Sequence, residues 1–236
     1  MSEEFALFKN SYLDAIQDNY MIPLFDNILE KERPRDVLDA GCGNGLFGHY
    51  FKEKTGCRLV GIDGSAYALE EARRAGYDEV HRCSDMGAQR LPFADGSFDF
   101  VLCKDVLEHL LMPTHLLSEL RRVLRPGGSL LCHVPNHFTL PARLRFVFTN
   151  DIDTYDFFPS ARSWDFPHIR FFTHEDFLEM CAQAGFSLAE DLSPFFAVQI
   201  PRLWRTTLYR VVLARLHRRF PSSFVTAFTV LLRART

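Results

Sequence analysis

The sequence predicts an α/β fold, a doubly wound parallel sheet covered by helices on both faces, and three observations carry that reading. Short apolar runs alternate with stretches of helical period along the chain, the pattern of strands buried on both sides. The run Val37 to Gly45, VLDAGCGNG, reads as a buried strand opening into a glycine loop with an acid, Asp39, at the strand tip. Its glycines let the backbone turn tightly and approach a ligand. With 236 residues and 47% apolar content, the chain is large enough for one sizeable domain with its own core.

The elements follow in order. Phe5 to Lys31 has helical spacing at Leu13, Ile16, Tyr20, Leu24, Phe25 and Ile28, and it ends before Pro34. Strands are expected at Asp36–Ala40, Arg58–Ile62, Glu79–Cys83, Phe98–Cys103 and Ser129–Val134, with helices from Gly45, from Ser65 and over Pro113–Leu124. Thr173 opens a helix through Ala184 with Asp176 in the capping-box place and Gly185 as its stop; it delivers the strand Phe186–Asp191. Phe224–Arg233 is the last strand.

The loop alone is close to the dinucleotide fingerprint as well as to other cofactor cradles. Arg58–Asp63, RLVGID, adds a second strand ending in an acid about 20 residues after the glycines, where such folds place a carboxylate on ribose hydroxyls. The loop offers Asp39 and no basic residue, which suits an ammonium better than a pyrophosphate.

Further on stand SDMGAQRLPFADGSFDFVLCKDVLEHL (Ser84–Leu110) and LRPGGSLL (Leu124–Leu131). Together with the glycine loop, these segments resemble the successive motifs of the class I S-adenosylmethionine-dependent methyltransferases, particularly the small-molecule group called methyltransferase type 11, over Arg35 to Leu192. The resemblance implies a Rossmann-like, seven-stranded sheet, mostly parallel with an antiparallel last strand, and S-adenosyl-L-methionine as cofactor. It implies that Asp39, Gly41, Cys42, Gly43 and Gly45 wrap the methionine portion, that Asp63 takes the ribose hydroxyls, and that Asp85 and Met86 meet the adenine. Cys103 and Lys104 would hold the methionine ammonium through backbone carbonyls. Cys42 departs from the small residue usual at its place.

The resemblance divides the chain into an N-terminal helical lid, 1–34, and a methyltransferase domain, 35–236. Two irregular segments interrupt the domain. The first, at about 136–170, is rich in aromatics (Phe138, Phe146, Phe148, Tyr155, Phe157, Phe158, Trp164, Phe166) and is read as an acceptor lid, a small helical subdomain, or both. The second, at about 194–223, is rich in arginine. From Pro201 onward every charged residue is arginine (202, 205, 210, 215, 218, 219, 233, 235), so the tail carries +8 within a chain of net charge −3. Trp204, Leu208, Val211, Val212 and Leu216 have helical spacing, which fits a docked helix with solvated arginines or a peripheral contact of Arg202–Arg219 with an anionic membrane or phosphate-bearing acceptor. The acidic body argues against nucleic acid.

The expected acceptor is a small molecule or a lipid- or sugar-linked group, methylated at oxygen. A base would help a hydroxyl acceptor, and the candidates at carboxyl ends of strands are His109 and His137. His133 is expected to be a buried strand histidine. Asp105 and Glu108 stand beside His109, but no ligand set of three or four stands out, so no metal is expected. The second function class is a catalytically silent S-adenosylmethionine-binding module acting through a partner; a nicotinamide oxidoreductase ranks third. Six cysteines without CxxC or zinc spacing, an acidic start without a secretory pattern and no long apolar run lead to the expectation of a cytoplasmic protein, soluble or peripheral to a membrane.

Overall fold

The computed structural model describes residues 21–149, 167–196, 211–212, 215–216 and 219–235. Seven strands form one sheet: β1 (Asp36–Ala40), β2 (Arg58–Asp63), β3 (Glu79–Arg82), β4 (Phe98–Lys104), β5 (Leu124–Pro135), β6 (Phe186–Asp191) and β7 (Ala227–Ala234). Their order is β3-β2-β1-β4-β5-β7-β6. The first five are parallel, and β7 runs antiparallel to both β5 and β6. The order reverses direction between β1 and β4, so the crevice at their carboxyl ends is the ligand position of a doubly wound sheet.

Helices α1 (Ile22–Glu32), α2 (Leu46–Thr55), α3 (Ala66–Arg74), α4 (Pro113–Val123), α5 (Leu140–Thr149) and α6 (His174–Gln183) accompany the sheet. Their ends follow local chemistry: Ser65 caps α3 by accepting from Ala68 N, and Thr173 caps α6 by accepting from Asp176 N. Strand alternation divides the core. Leu38, Ala40, Val60 and Ile62 pack on the α4 and α6 side, while Val37, Leu59, Phe100 and Leu102 pack against α1, α2 and α3. On that second side Phe25 meets Phe51 edge-on at 5.2 Å. The Glu32 carboxylate accepts from Nη1 and Nη2 of Arg233 at 2.5 and 2.6 Å, tying α1 to β7.

Several boundaries differ from expectation. β5 begins at Leu124 because that residue already pairs with Phe98, ahead of a register shift, so the Pro126–Gly128 turn lies inside the strand. β7 begins at Ala227 rather than Phe224 because β5 ends its pairing there, Pro135 opposite Ala227. The described part of the first helix buries Leu24, Phe25, Ile28 and Leu29 in the core; its expected beginning, with Leu13, Ile16 and Tyr20, lies outside the described residues. So do 150–166 of the aromatic segment and Arg202, Arg205, Arg210 and Arg218 of the arginine-rich one. No helix among the described residues is long and apolar enough to cross a membrane.

Candidate functional site

The glycine loop is stitched to the tip of β2. Gly41 N and Cys42 N both donate to the Ile62 carbonyl, at 2.8 and 3.1 Å, and Gly43 N donates to Asp63 Oδ2 at 3.0 Å. Gly41 has φ +77°, and a methyl there would lie 2.2 Å from Cγ2 of Val106, so the second residue past β4 packs directly on the loop. At Gly43, φ +51°, a methyl would meet nothing within 4 Å; the loop is open on that side.

Asp39 is buried and accepts a 2.5 Å hydrogen bond from the Tyr77 hydroxyl. Burial pushes its carboxyl up to about 7, with Asp63 nearby adding to the rise and Tyr77 opposing it. Tyr77 was not among the sequence candidates. It fills the space left by three glycines, since methyls at Gly45, Gly48 and Gly61 would lie 2.8, 2.0 and 2.8 Å from its atoms. Only the spacing of glycines in a helix and a strand hinted at such a neighbour.

Asp63 binds Gly43 N with one oxygen and Ser65 N, at 2.8 Å, with the other. Asp85 is exposed and accepts from Gly87 N at 3.0 Å, while Met86 beside it is buried. Cys42 and Cys103 are buried free thiols. Lys104 pairs with Asp105 and lies 5.1 Å over the Phe47 ring. Asp39, Asp63 and Lys104 lie at the tips of β1, β2 and β4, near enough for the charges of Asp63 and Lys104 to act on Asp39, and Asp85 follows β3. Asp105 has φ +54°, a conformation rare outside glycine and a mark of a constrained site.

The histidines gather on the other side of the β4 tip. His109, exposed, sits on a 3-10 turn, Leu107–His109, and its Nδ1 donates to the Pro167 carbonyl at 3.0 Å. His137, past β5, places Nε2 2.8 Å from His168 Nδ1, and the His168 ring lies 4.8 Å from His109 and 5.0 Å from His137. His168, at the end of the aromatic segment, was missed, since no sequence spacing links it to residue 109. His133 is buried, its Nδ1 2.7 Å from Thr229 Oγ1, and burial lowers it to about 4, so it is neutral at pH 7. Glu108, wholly buried, is pushed up to about 8, chiefly by burial and then by Asp105.

The family model of the methyltransferase domain matches residues 38–132, from the middle of β1 into β5. A methyltransferase candidate of Encephalitozoon cuniculi is 31% identical over 159 residues, 65% of this chain and 71% of that protein. A ubiquinone biosynthesis O-methyltransferase of Xanthomonas oryzae is 33% identical over 107 residues, 42% of this chain and 43% of the enzyme. The chain spans about two fifths of the length of several other curated relatives, 39% and 40% for two of them. Among solved structures, the methyltransferase candidate of Haloferax volcanii in complex with the Trm112 methyltransferase activator superposes with a TM-score of 0.63 at 21% identity, covering 99% of this chain and 97% of that one. Motif order, strand order and the Encephalitozoon relative agree: the chain belongs to the class I S-adenosylmethionine-dependent methyltransferases.

Proposed function

We propose that this protein transfers the methyl group of S-adenosyl-L-methionine to the oxygen of a small-molecule or lipid- or sugar-linked acceptor. The observation that carries the reading is the set of carboxylates, Asp39, Asp63 and Asp85, around an open glycine loop at the sheet's switch point. That donor set fits this cofactor. Carboxylates and carbonyls suit a cationic amino-acid tail and ribose hydroxyls, and the loop carries no basic residue for a pyrophosphate. The bound cofactor supplies an activated methyl on a sulfonium, a good leaving group.

The protein's share is placement. Asp39 orients the ammonium together with the Cys103 and Lys104 carbonyls, Asp63 takes the ribose, and Asp85 with Met86 receives the adenine. Holding donor and acceptor in attack geometry supplies on the order of 7 to 11 kcal/mol of the barrier, whereas a general base adds only about 10² to 10⁴ in rate. For a hydroxyl acceptor the base would be His109 or His137. Helix α5 exposes Leu144, Phe146, Val147 and Phe148, a surface suited to an apolar acceptor. Oxygen as the attacking atom is supported by the enzyme from Xanthomonas. Contact of the arginine-rich segment with an anionic surface remains part of the proposal for the residues Arg202 to Arg219; Arg233, by contrast, is engaged by Glu32.

The test is to incubate the protein with methyl-labelled S-adenosylmethionine and fractionated cell extract. Label in a small organic fraction that is lost in Asp63→Ala supports the reading. Label in protein or nucleic acid, or no label in any fraction while the cofactor binds, overturns it.

A further inference from the structure

The carboxylate of Glu108 has no place in the cofactor site, yet it is wholly buried and neither of its oxygens has a hydrogen-bond partner. Buried polar groups are nearly always satisfied, and a buried carboxyl group with neither oxygen paired is costly in either protonation state. Two features bring histidines to it. The Glu108 carbonyl accepts from Ile169 N and Arg170 N at 2.9 and 3.1 Å, which pins the segment after Pro167 to the 3-10 turn. His109 Nδ1 donates to the Pro167 carbonyl, leaving Nε2 as the lone-pair nitrogen. As a result one ligand atom from each of Glu108, His109 and His168 lies within 4.8 Å of the others.

We propose that Glu108, His109 and His168 form a binding site for a divalent first-row transition-metal ion. Two imidazoles and one carboxylate favour zinc, iron, manganese or cobalt over magnesium and calcium, which prefer oxygen ligands. Metal–ligand bonds of about 2.0 to 2.2 Å bring ligand atoms to about 3.0 to 3.6 Å of one another, so the three side chains would draw in by up to about 1 Å, within reach of side-chain rotations. The surroundings are those of a metal site. With Nε2 of His109 on the ion, its Nδ1 would keep its bond to the Pro167 carbonyl, and His168 would be oriented by His137, as partners of metal-bound histidines commonly do. Three protein ligands leave a position for water or substrate.

The place of the site gives the ion its role. Val106, which packs on Gly41 of the loop, is two residues before Glu108, so the ion stands beside the cofactor crevice. There it would hold and polarise an oxygen acceptor. That role rests on the proposed methyl transfer; binding of the ion does not.

The experiment uses tag-free full-length protein, stripped with a chelator and titrated separately with Co(II), Mn(II), Zn(II) and Mg(II). Calorimetry and the visible absorption of Co(II) read binding, and S-adenosylhomocysteine binding is measured in the same samples. One transition-metal ion per chain is expected, with Mg(II) at least tenfold weaker. His168→Ala and Glu108→Gln should each weaken Co(II) binding tenfold or more; Glu108→Gln keeps the side chain's size and removes only the carboxyl that would ionise on the metal, and its thermal melting checks that the fold persists. Absence of stoichiometric binding, or Co(II) affinity unchanged in both variants, overturns the proposal. If S-adenosylhomocysteine binds and metal does not, this inference fails alone; if metal binds and S-adenosylhomocysteine does not, the functional reading fails.

Discussion

Replacing Asp39 by asparagine isolates the one buried acid assigned to the cofactor's ammonium. Burial holds this carboxyl near pH 7, where it keeps its proton against a 2.5 Å contact from Tyr77. A cationic ligand favours the ionised form, so binding must draw the proton off. For a group with a pKa of about 7, the apparent dissociation constant scales as one plus the ratio of protonated to ionised carboxyl. It falls about fivefold from pH 6 to pH 7, a difference of about 1 kcal/mol. That window stays below about 7.7 to 8.0, where an α-amino group itself titrates. Asp39→Asn should show a flat profile over the same range and lose about tenfold or more in affinity at pH 7.5, the worth of a charge-assisted hydrogen bond of roughly 1.5 to 3 kcal/mol. Without ligand the sign is opposite. The folded state keeps the Asp39 proton up to about pH 7 while the unfolded chain releases it near its ordinary value of 3.8, so this residue's share of stability is full below pH 4 and is lost as pH rises through 7. Calorimetric titrations in buffers of different ionisation enthalpy measure the proton release directly. A wild-type affinity flat between pH 6 and 7, or an equal slope in Asp39→Asn, would refute the assignment; Glu108→Gln, which removes the other raised carboxyl nearby, should retain the slope.

Asp63→Ala removes acceptors for Gly43 N and Ser65 N as well as for the ribose, so thermal melting should fall together with a tenfold or greater loss of cofactor affinity by calorimetry. Gly48→Ala places a methyl 2.0 Å from the Tyr77 hydroxyl and should destabilise the fold by about 1 to 3 kcal/mol in urea titration; combining it with Tyr77→Phe, which deletes that oxygen, should recover part of the loss. Arg210, Arg218 and Arg219 changed together to glutamine should reduce binding to acidic vesicles at low salt without altering cofactor affinity, because exposed charges are screened over about 8 Å at physiological salt; equal partition of wild type and variant into neutral and acidic vesicles would leave those arginines a solvated face.

The sheet was legible in the sequence because its parallel strands are short apolar runs punctuated by glycines and acids, and Asp39 and Asp63 stand at the ends of such runs. The capping of α6 by Thr173 was legible for the same local reason. What could not be read depends on contacts between distant segments. Tyr77 belongs to the site only because three glycines from different elements leave room for its ring. Asp63 holds the loop as well as facing the crevice, a double role that its position in the motif does not reveal. His168 reaches Glu108 and His109 through backbone bonds of residues 167–170 to the 3-10 turn, so the three-residue cluster has no spacing to find in one dimension. The early start of β5 was hidden by a Pro-Gly-Gly turn that ordinarily ends pairing.

The central claim is that the crevice between the β1 and β4 tips holds S-adenosylmethionine. Titration calorimetry of the full-length protein with S-adenosylmethionine, S-adenosylhomocysteine and a nicotinamide dinucleotide tests it most directly. One site per chain for the first two ligands and no heat with the dinucleotide is the predicted result; no heat with either sulfur ligand, alongside saturable binding of the dinucleotide, would contradict it.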